Sequence, residues 1–156
     1  MEIKIRALKK EDISDCVKLI LRTKAGSNRK EIEKIIENSL EKGIKPLNPD
    51  YFVLTISEKI SGISGLYYDY EDPADILWID YFAVLPEFQR QGFGTIMLEN
   101  LEKICQKKKT RLLCVFTEAE ESLKFWRKNG FEIFGRIDDY YAKDRPKIWL
   151  SKEIKV

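Results

Sequence analysis

Apolar and polar positions change period several times along the chain, and each change marks an element. EIKIRAL (residues 2–8) alternates with period two, the pattern of a strand. From Ile13 the apolar residues fall at Ile13, Cys16, Val17 and Ile20, a helical stripe that stops near Gly26. Asn28, with Glu31 three residues on, reads as a capping box for a second helix carrying Ile32, Ile35, Ile36 and Leu40 and closed by Gly43. KPLNPD (45–50) reads as a loop. YFVLTIS (51–57) and ISGISGLYYDY (60–70) predict an antiparallel hairpin turning around Glu58-Lys59, followed by the acidic loop YEDPAD (70–75). ILWIDYFAVL (76–85) is mostly apolar and predicts a central strand covered on both faces. Met97, Leu101, Ile104 and Cys105 then share one face of a helix that runs into Gln106–Lys109. RLLCVF (111–116) is a buried strand. Thr117 with Glu120 reads as a second capping box, opening a short helix that ends at Asn129-Gly130, where glycine suits the left-handed C-terminal position. FEIFGRI (131–137) and KIWLSKEI (147–154) are two closing strands joined by DDYYAKDRP (138–146).

The resulting order is β-α-α-β-β-β-α-β-α-β-β. The β-α-β in the middle demands a parallel pair with a crossover helix, and the rest is mostly antiparallel. The expectation is a mixed α/β (α+β) fold in a single domain spanning 1–156, since 156 residues support one core comfortably and two poorly. With 28 basic and 26 acidic side chains the formal charge is only +2, which gives no reason to expect a nucleic-acid partner. No apolar run approaches the ~20 residues of a membrane helix, and MEIKIRALKKED lacks a signal-peptide core, so a cytoplasmic protein off the membrane is expected.

The chain has no histidine, which removes the commonest general base, the Ser-His and Cys-His nucleophile pairs and most zinc sites. No metal site is expected. Cys16, Cys105 and Cys114 are far apart and set in apolar patterns, and read as buried hydrophobes. Any chemistry must come from carboxylates, tyrosines, lysines, thiols, backbone or water.

One stretch carries a signal of its own. In FAVLPEFQRQGFGTIMLENLEK (82–103) an apolar strand meets Pro86, then a polar turn with Gly92 and Gly94, then a helix at once. The first turn of a helix has backbone N–H groups without intrahelical partners, and its dipole makes that end positive. A loop leading into it without bulky side chains can cradle a phosphate, with Gly92 and Gly94 leaving room for it. Pro86, lacking an N–H, can free the strand from its neighbour and expose backbone to an extended ligand. The other reading is a tight strand-to-helix turn and nothing more. A P-loop needs G-x-x-x-x-G-K-S/T and a dinucleotide fingerprint needs G-x-G-x-x-G; the chain has neither, since Met97 stands three residues after Gly94.

Gln89-Arg90-Gln91-Gly92-Phe93-Gly94, Q-x-x-G-x-G, resembles the acyl-CoA pyrophosphate loop of the GNAT superfamily of N-acetyltransferases. AVLPEF is similar to that family's strand-then-proline lead-in, TIMLENLEK to its crossover helix, ISG to its hairpin, and SLKFWRKNGFE to its second cofactor motif. The likeness extends in order along nearly the whole chain and implies the GNAT fold, with a central mixed, mostly antiparallel sheet and helices on both faces. It also implies an acetyl-CoA-dependent N-acetyltransferase acting by direct attack in a ternary complex. Backbone of Phe82, Ala83 and Val84 would pair with the pantetheine arm. Gln89 opens the loop, and N–H groups of Arg90, Gln91, Gly92, Phe93, Gly94 and Thr95 would hold the pyrophosphate. An N–H near Val84 would serve the oxyanion. Arg90 could add a charge-assisted contact or be a solvated surface arginine.

The acceptor amine must attack unprotonated, and a lysine-like amine, with an ordinary pKa of ~10.4, needs help losing its proton. Asp80, a charge inside an apolar strand, is the candidate base. By the two-residue period it would share a face with Phe82 and Val84, and its other reading is a salt-bridged aspartate. Tyr140 and Tyr141 resemble a Tyr-Tyr pair that lines the acceptor groove in peptide-acetylating relatives; the alternative is a surface hairpin pair. Tyr67, Tyr68 and Tyr70 read mostly as sheet packing. DYEDPAD could attract a cationic amine and KKKTR (107–111) the cofactor's outer phosphate, or both could be solvated loops. The sequence departs from the family at three places: Trp126 stands where a tyrosine is frequent, Ala119 where an asparagine often precedes the helix, and Cys114 where ribosomal-protein alanine acetyltransferases carry a catalytic glutamate. The expected partner is a peptide or small-molecule amine, and the expected state a monomer or homodimer. The rival from another class is a non-catalytic acyl-CoA-binding module. A weaker rival is a nucleotide-phosphate binder using the same turn.

Overall fold

The structure, a computed structural model, describes residues 1–24, 27–41 and 49–155. Gly26, Gly43 and most of KPLNPD therefore lie outside the described residues. The elements are β1 (Ile3–Ala7), α1 (Ile13–Thr23), α2 (Arg29–Ser39), β2 (Asp50–Ile56), β3 (Lys59–Tyr67), β4 (Ile76–Val84), α3 (Phe93–Lys107), β5 (Leu112–Thr117), α4 (Leu123–Lys128), β6 (Glu132–Ala142) and β7 (Arg145–Glu153). Among the described residues the strands form one sheet in the order β1-β2-β3-β4-β5-β7-β6, in which β4–β5 is the parallel pair and the other neighbours run antiparallel.

Side-chain alternation puts two cores on the two faces of the sheet. Cys16, Val17, Leu19 and Ile20 of α1 and Ile32 and Ile36 of α2 pack on Tyr51, Val53, Ile63 and Ala83. On the other face Leu98 and Leu101 of α3 and Leu123 and Trp126 of α4 pack on Leu66, Ile79, Leu113, Val115, Ile148 and Leu150. Apolar stripes of period 3.6 over strands of period two leave each helix one way to sit. Asn28 Oδ1 accepts from the Glu31 N–H at 3.2 Å and starts α2. Near the N-terminus Asp12, almost wholly buried, takes a bidentate pair from Arg6 and a hydrogen bond from the Lys9 N–H at 2.8 Å. Those donors hold its pKa below the ordinary carboxylate value, the Arg6 hydrogen bonds contributing most.

Several expectations change. The hairpin between β2 and β3 turns on Ser57 and Glu58, both left-handed at φ 49° and 68°. Thr117 does not cap through the Glu120 N–H: its Oγ1 accepts from the Ala119 N–H at 3.1 Å, and the Glu120 carboxylate goes to Arg136. Tyr140 and Tyr141 sit on β6 rather than in a loop, because the strand runs to Ala142 with a bulge near Asp139 (φ 56°). That end of the β6–β7 hairpin stands in water on both sides, so it carries no apolar alternation to announce a strand. Finally, β4 is central, but most of its residues from Ile76 to Phe82 are only half-buried. The reason is what lies beside them.

Candidate active site

β4 pairs with β5 at Ile76, Leu77 and Trp78 and then leaves it. The divergence begins eight residues before Pro86, so Pro86 is not its cause; it opens the short turn Pro86–Phe88 instead. On the β3 side the register steps from Gly65↔Asp80 to Ile63↔Ala83, three residues of β4 against two of β3. The extra residue is a bulge at Asp80–Tyr81, with Tyr81 at φ 27°. The bulge resets the alternation. Tyr81 and Ala83 belong to the α1–α2 face, whereas Phe82 and Val84 pack on the α3–α4 face. Asp80 reaches Tyr51 on the α1–α2 face, so it does not share a face with Phe82 and Val84 as strict period two required.

The gap left by β5 is lined with free strand backbone. The Leu85 N–H donates to Ser61 O at 2.9 Å, so the adjacent Val84 turns its own N–H and C=O away from β3. Gln89 Nε2 donates to that carbonyl at 2.8 Å. Gln89 thus anchors the loop to β4, and the Val84 N–H is left facing the gap. Gln91 Nε2 ties the same loop to Glu87 O at 3.1 Å.

The two glycines also have causes within the chain itself. Gly92 caps α3 in the left-handed conformation, φ 88°, and a Cβ there would meet nothing within 4 Å. Its requirement is conformational. Arg90, two residues earlier, is also left-handed at φ 60°, and such alternation of backbone signs curls successive N–H groups toward one side. Gly94 is small for packing: a Cβ would come within 3.0 Å of the Phe125 ring. Phe125 and Trp126 in turn clamp Phe82, with ring centroids 5.6 and 5.1 Å apart. Trp126 is 4% exposed and belongs to this aromatic core, so it is a wall of the site rather than a proton donor.

Across the bulge, on the α1–α2 face, the site is made of side chains. The Tyr51 hydroxyl donates a short hydrogen bond to the Asp80 carboxylate. The Tyr51 ring stacks on Tyr81 at 5.9 Å, and Gly65 makes room for it: a Cβ there would lie 2.6 Å from the Tyr51 ring. Burial pushes the Asp80 pKa up; the Tyr51 hydrogen bond and the Lys24 cation pull against it without winning. Lys24 is exposed as a residue, yet its Nζ lies 5.2 Å from the Tyr81 ring centroid. Burial of the ammonium lowers its pKa, opposed by the Asp80 and Glu118 charges. Glu118 pairs with Arg145 at 2.9 Å, and that guanidinium lies 5.7 Å from the Tyr141 ring. Lys24 near Asp80, and Glu118 and Arg145 near Tyr141, are residues the sequence did not single out. Gly65 inside a strand was the one available signal for Tyr51, since such a glycine marks a close approach. Tyr140 packs edge-on against the Tyr141 ring at 4.9 Å and against Trp149 at 5.9 Å.

The remaining candidates have structural roles. Burial raises the Cys114 thiol to about 11 and leaves it 3% exposed, which suits a core residue and not a nucleophile. Asp72 accepts from Trp78 Nε1 at 2.7 Å, Asp69 caps the Glu71 N–H at 2.9 Å, and Asp75 pairs with Arg111 at 3.0 Å. The acidic run and the end of the basic run thus hold loops in place. Among the described residues no His/Cys/Asp/Glu group is arranged to hold a metal ion, and no helix is long and apolar enough to cross a membrane.

Residues 18–131, which contain the divergence, the bulge and the glycine turn, match the sequence profile of the acetyltransferase (GNAT) family. The chain belongs to the GNAT acetyltransferase family. Within GNAT proteins it is similar to N-alpha-acetyltransferase 50 of Danio rerio, 34% identical over 73 residues, which is 45% of this chain and 44% of that protein. The match therefore spans less than half of the curated relative's length. Three solved GNAT structures share the fold. Ribosomal-protein-S18-alanine N-acetyltransferase from Escherichia coli superposes with TM-score 0.80 at 18% identity, covering 99% of this chain and 96% of its own. Ard1 from Thermoplasma volcanium gives 0.80 at 17%, with both chains covered in full (100%). A GNAT family acetyltransferase from Elizabethkingia anophelis, with acetyl-CoA bound, gives 0.70 at 18%, covering 97% of each chain. At these identities the likeness establishes the GNAT fold and leaves the acceptor undetermined.

Proposed function

We propose that this chain, as a single catalytic domain, is an acetyl-CoA-dependent N-acetyltransferase that moves an acetyl group to a primary amine by direct attack. The observation that carries the reading is the gap beside β4, with the Val84 N–H facing it and a left-handed glycine turn at the head of α3. Acetyl-CoA would supply the acyl group as a thioester. Its extended arm would run along Phe82, Ala83 and Val84 in place of the missing β5 strand. Its pyrophosphate would take the N–H groups of Arg90 through Thr95, with Gln89 holding the loop. A polyanion at this helix end gains from both the unpaired donors and the dipole.

Asp80 is the proposed base. A carboxylate with a raised pKa is a stronger proton acceptor than an ordinary aspartate, and neighbours that support its charge oppose that rise. Tyr51 and Lys24 give that support. As Asp80 takes the proton, the amine's lone pair is freed to attack. The Val84 N–H would donate to the carbonyl oxygen as negative charge develops there. Tyr141, 42% exposed beside Arg145 and Glu118, lines the acceptor side, and Tyr140 walls the hairpin behind it. The acceptor would be a peptide or small-molecule amine, cationic before it reacts.

A second reading, an acyl-CoA-binding module without turnover, has one observation in its favour: the family positions Trp126 and Cys114 are buried and carry no usable proton. The two readings part in one assay. The protein is mixed with acetyl-CoA and a panel of free-amino-terminal peptides, lysine peptides, polyamines and amino acids, and released thiol is measured. Amine-dependent thiol release that Asp80→Asn abolishes is the expected result. Binding without release across the panel would favour the module.

A further inference from the structure

Lys24 ends α1 one residue past Thr23, and nothing in the proposed reaction needs a lysine there beyond the support of a charge. Its position is nonetheless specific. The ammonium sits over the ring of Tyr81, the bulge residue between Asp80 and the Phe82–Val84 backbone. Tyr51 holds both neighbours in place, stacking on Tyr81 and donating to Asp80. The charges that act on Lys24 are Asp80 from β4 and Glu118 from the end of β5, and Glu118 is also engaged by Arg145. A primary amine over an aromatic ring, beside the proposed base and next to the proposed donor arm, is where an acceptor amine would stand.

We propose that Lys24 is a self-acetylation site: with no external acceptor bound, its Nζ receives the acetyl group. The inference rests on the acetyltransferase reading above. In the step, a proton passes from the Lys24 ammonium to Asp80. The freed lone pair forms a C–N bond to the thioester carbonyl carbon, the C–S bond breaks, and the electron pair leaves on the thiolate, which is protonated from Asp80 or water. The products are N-acetyl-lysine and the free thiol. The placement of its Nζ over the Tyr81 ring favours the step, and the lowered pKa of the ammonium acts in the same direction. Acetylation would also remove the cation facing Asp80.

The test is mass spectrometry of the purified chain incubated with acetyl-CoA alone, with tryptic mapping of the modified residue and acetyl-CoA titration on the same batch. A gain of one acetyl group at Lys24 is expected, with a first-order rate constant independent of protein concentration. Lys24→Arg should lose it while still binding acetyl-CoA, and Asp80→Asn should slow it by about 10²-fold. The heat-unfolded chain supplies the chemical background. Three results overturn the proposal: acetyl-CoA bound and an external amine acetylated with Lys24 untouched, Lys24 modified no faster than in the unfolded chain, or an apparent rate constant that rises with protein concentration. Absence of both binding and turnover would instead overturn the acetyltransferase reading, and the self-acetylation proposal with it.

Discussion

The two sides of β4 are built from different material. The side toward α3 and α4 works with backbone: a strand that lost its neighbour, the Val84 N–H, and a helix head capped by a left-handed glycine. The side toward α1 and α2 works with side chains brought from five elements: Tyr51 from β2, Asp80 from β4, Lys24 after α1, Glu118 after β5 and Tyr141 from β6. A backbone site needs few particular residues but needs them at fixed spacing, because the left-handed conformation at Gly92 favours glycine. A side-chain site can be assembled from anywhere in the chain, because folding alone brings its parts together. The first kind can keep one ligand while the second changes acceptors.

If that division is real, substitutions should separate along it, and the largest effect should fall on turnover alone. Asp80→Asn is expected to cut acetylation about 10²–10⁴-fold while acetyl-CoA affinity stays within twofold, measured by thiol release and calorimetry. As the proposed base, Asp80 should also set a pH limb. Its folded pKa is raised above the ordinary 3.8, so activity should rise as Asp80 ionises, at a pH above that of a free aspartate. Stability runs the other way: the folded state holds the Asp80 proton more tightly than the unfolded chain, so stability is lost as pH rises through the folded value. Asp80→Asn should remove both trends.

Next in size is the donor side. Gly92→Val forces a β-branched residue into φ 88° and should cost about 1–3 kcal/mol of folding stability, read by denaturant titration. Acetyl-CoA affinity should fall with it by about 10–100-fold, equivalent to roughly 1.4–2.8 kcal/mol. Gly65→Ala tests the acceptor side sterically. Its Cβ would press on the Tyr51 ring at 2.6 Å, so about 1–3 kcal/mol of stability should go and turnover should slow with cofactor affinity kept. Tyr51→Phe is gentler: loss of the hydrogen bond that favours ionised Asp80 should move the acid limb to higher pH. The smallest effect is expected at Arg22→Ala, which breaks an exposed pair with Glu87 and should cost no more than about 1 kcal/mol in melting experiments.

The same division explains what could be read from the sequence. Every strand and helix of the fold was visible in the apolar periods, apart from the outer end of β6. The turn at Gly92 was visible because its proposed role rests on spacing. The Asp80 face was misread because a bulge at Tyr81 adds one residue and inverts the alternation beyond it, and no composition marks such a bulge. Tyr140 and Tyr141 were taken for loop residues because a hairpin wet on both sides has no apolar period. Lys24, Glu118 and Arg145 were invisible for a third reason: charged residues near loops look alike until the fold sets them around one carboxylate.

The most direct test is a calorimetric titration of acetyl-CoA into three proteins side by side: the natural sequence, Gly92→Val and Asp80→Asn. The division of labour predicts equal binding by the natural sequence and Asp80→Asn, with binding weakened or lost in Gly92→Val. No binding by the natural sequence, or parallel loss in both variants, would contradict it.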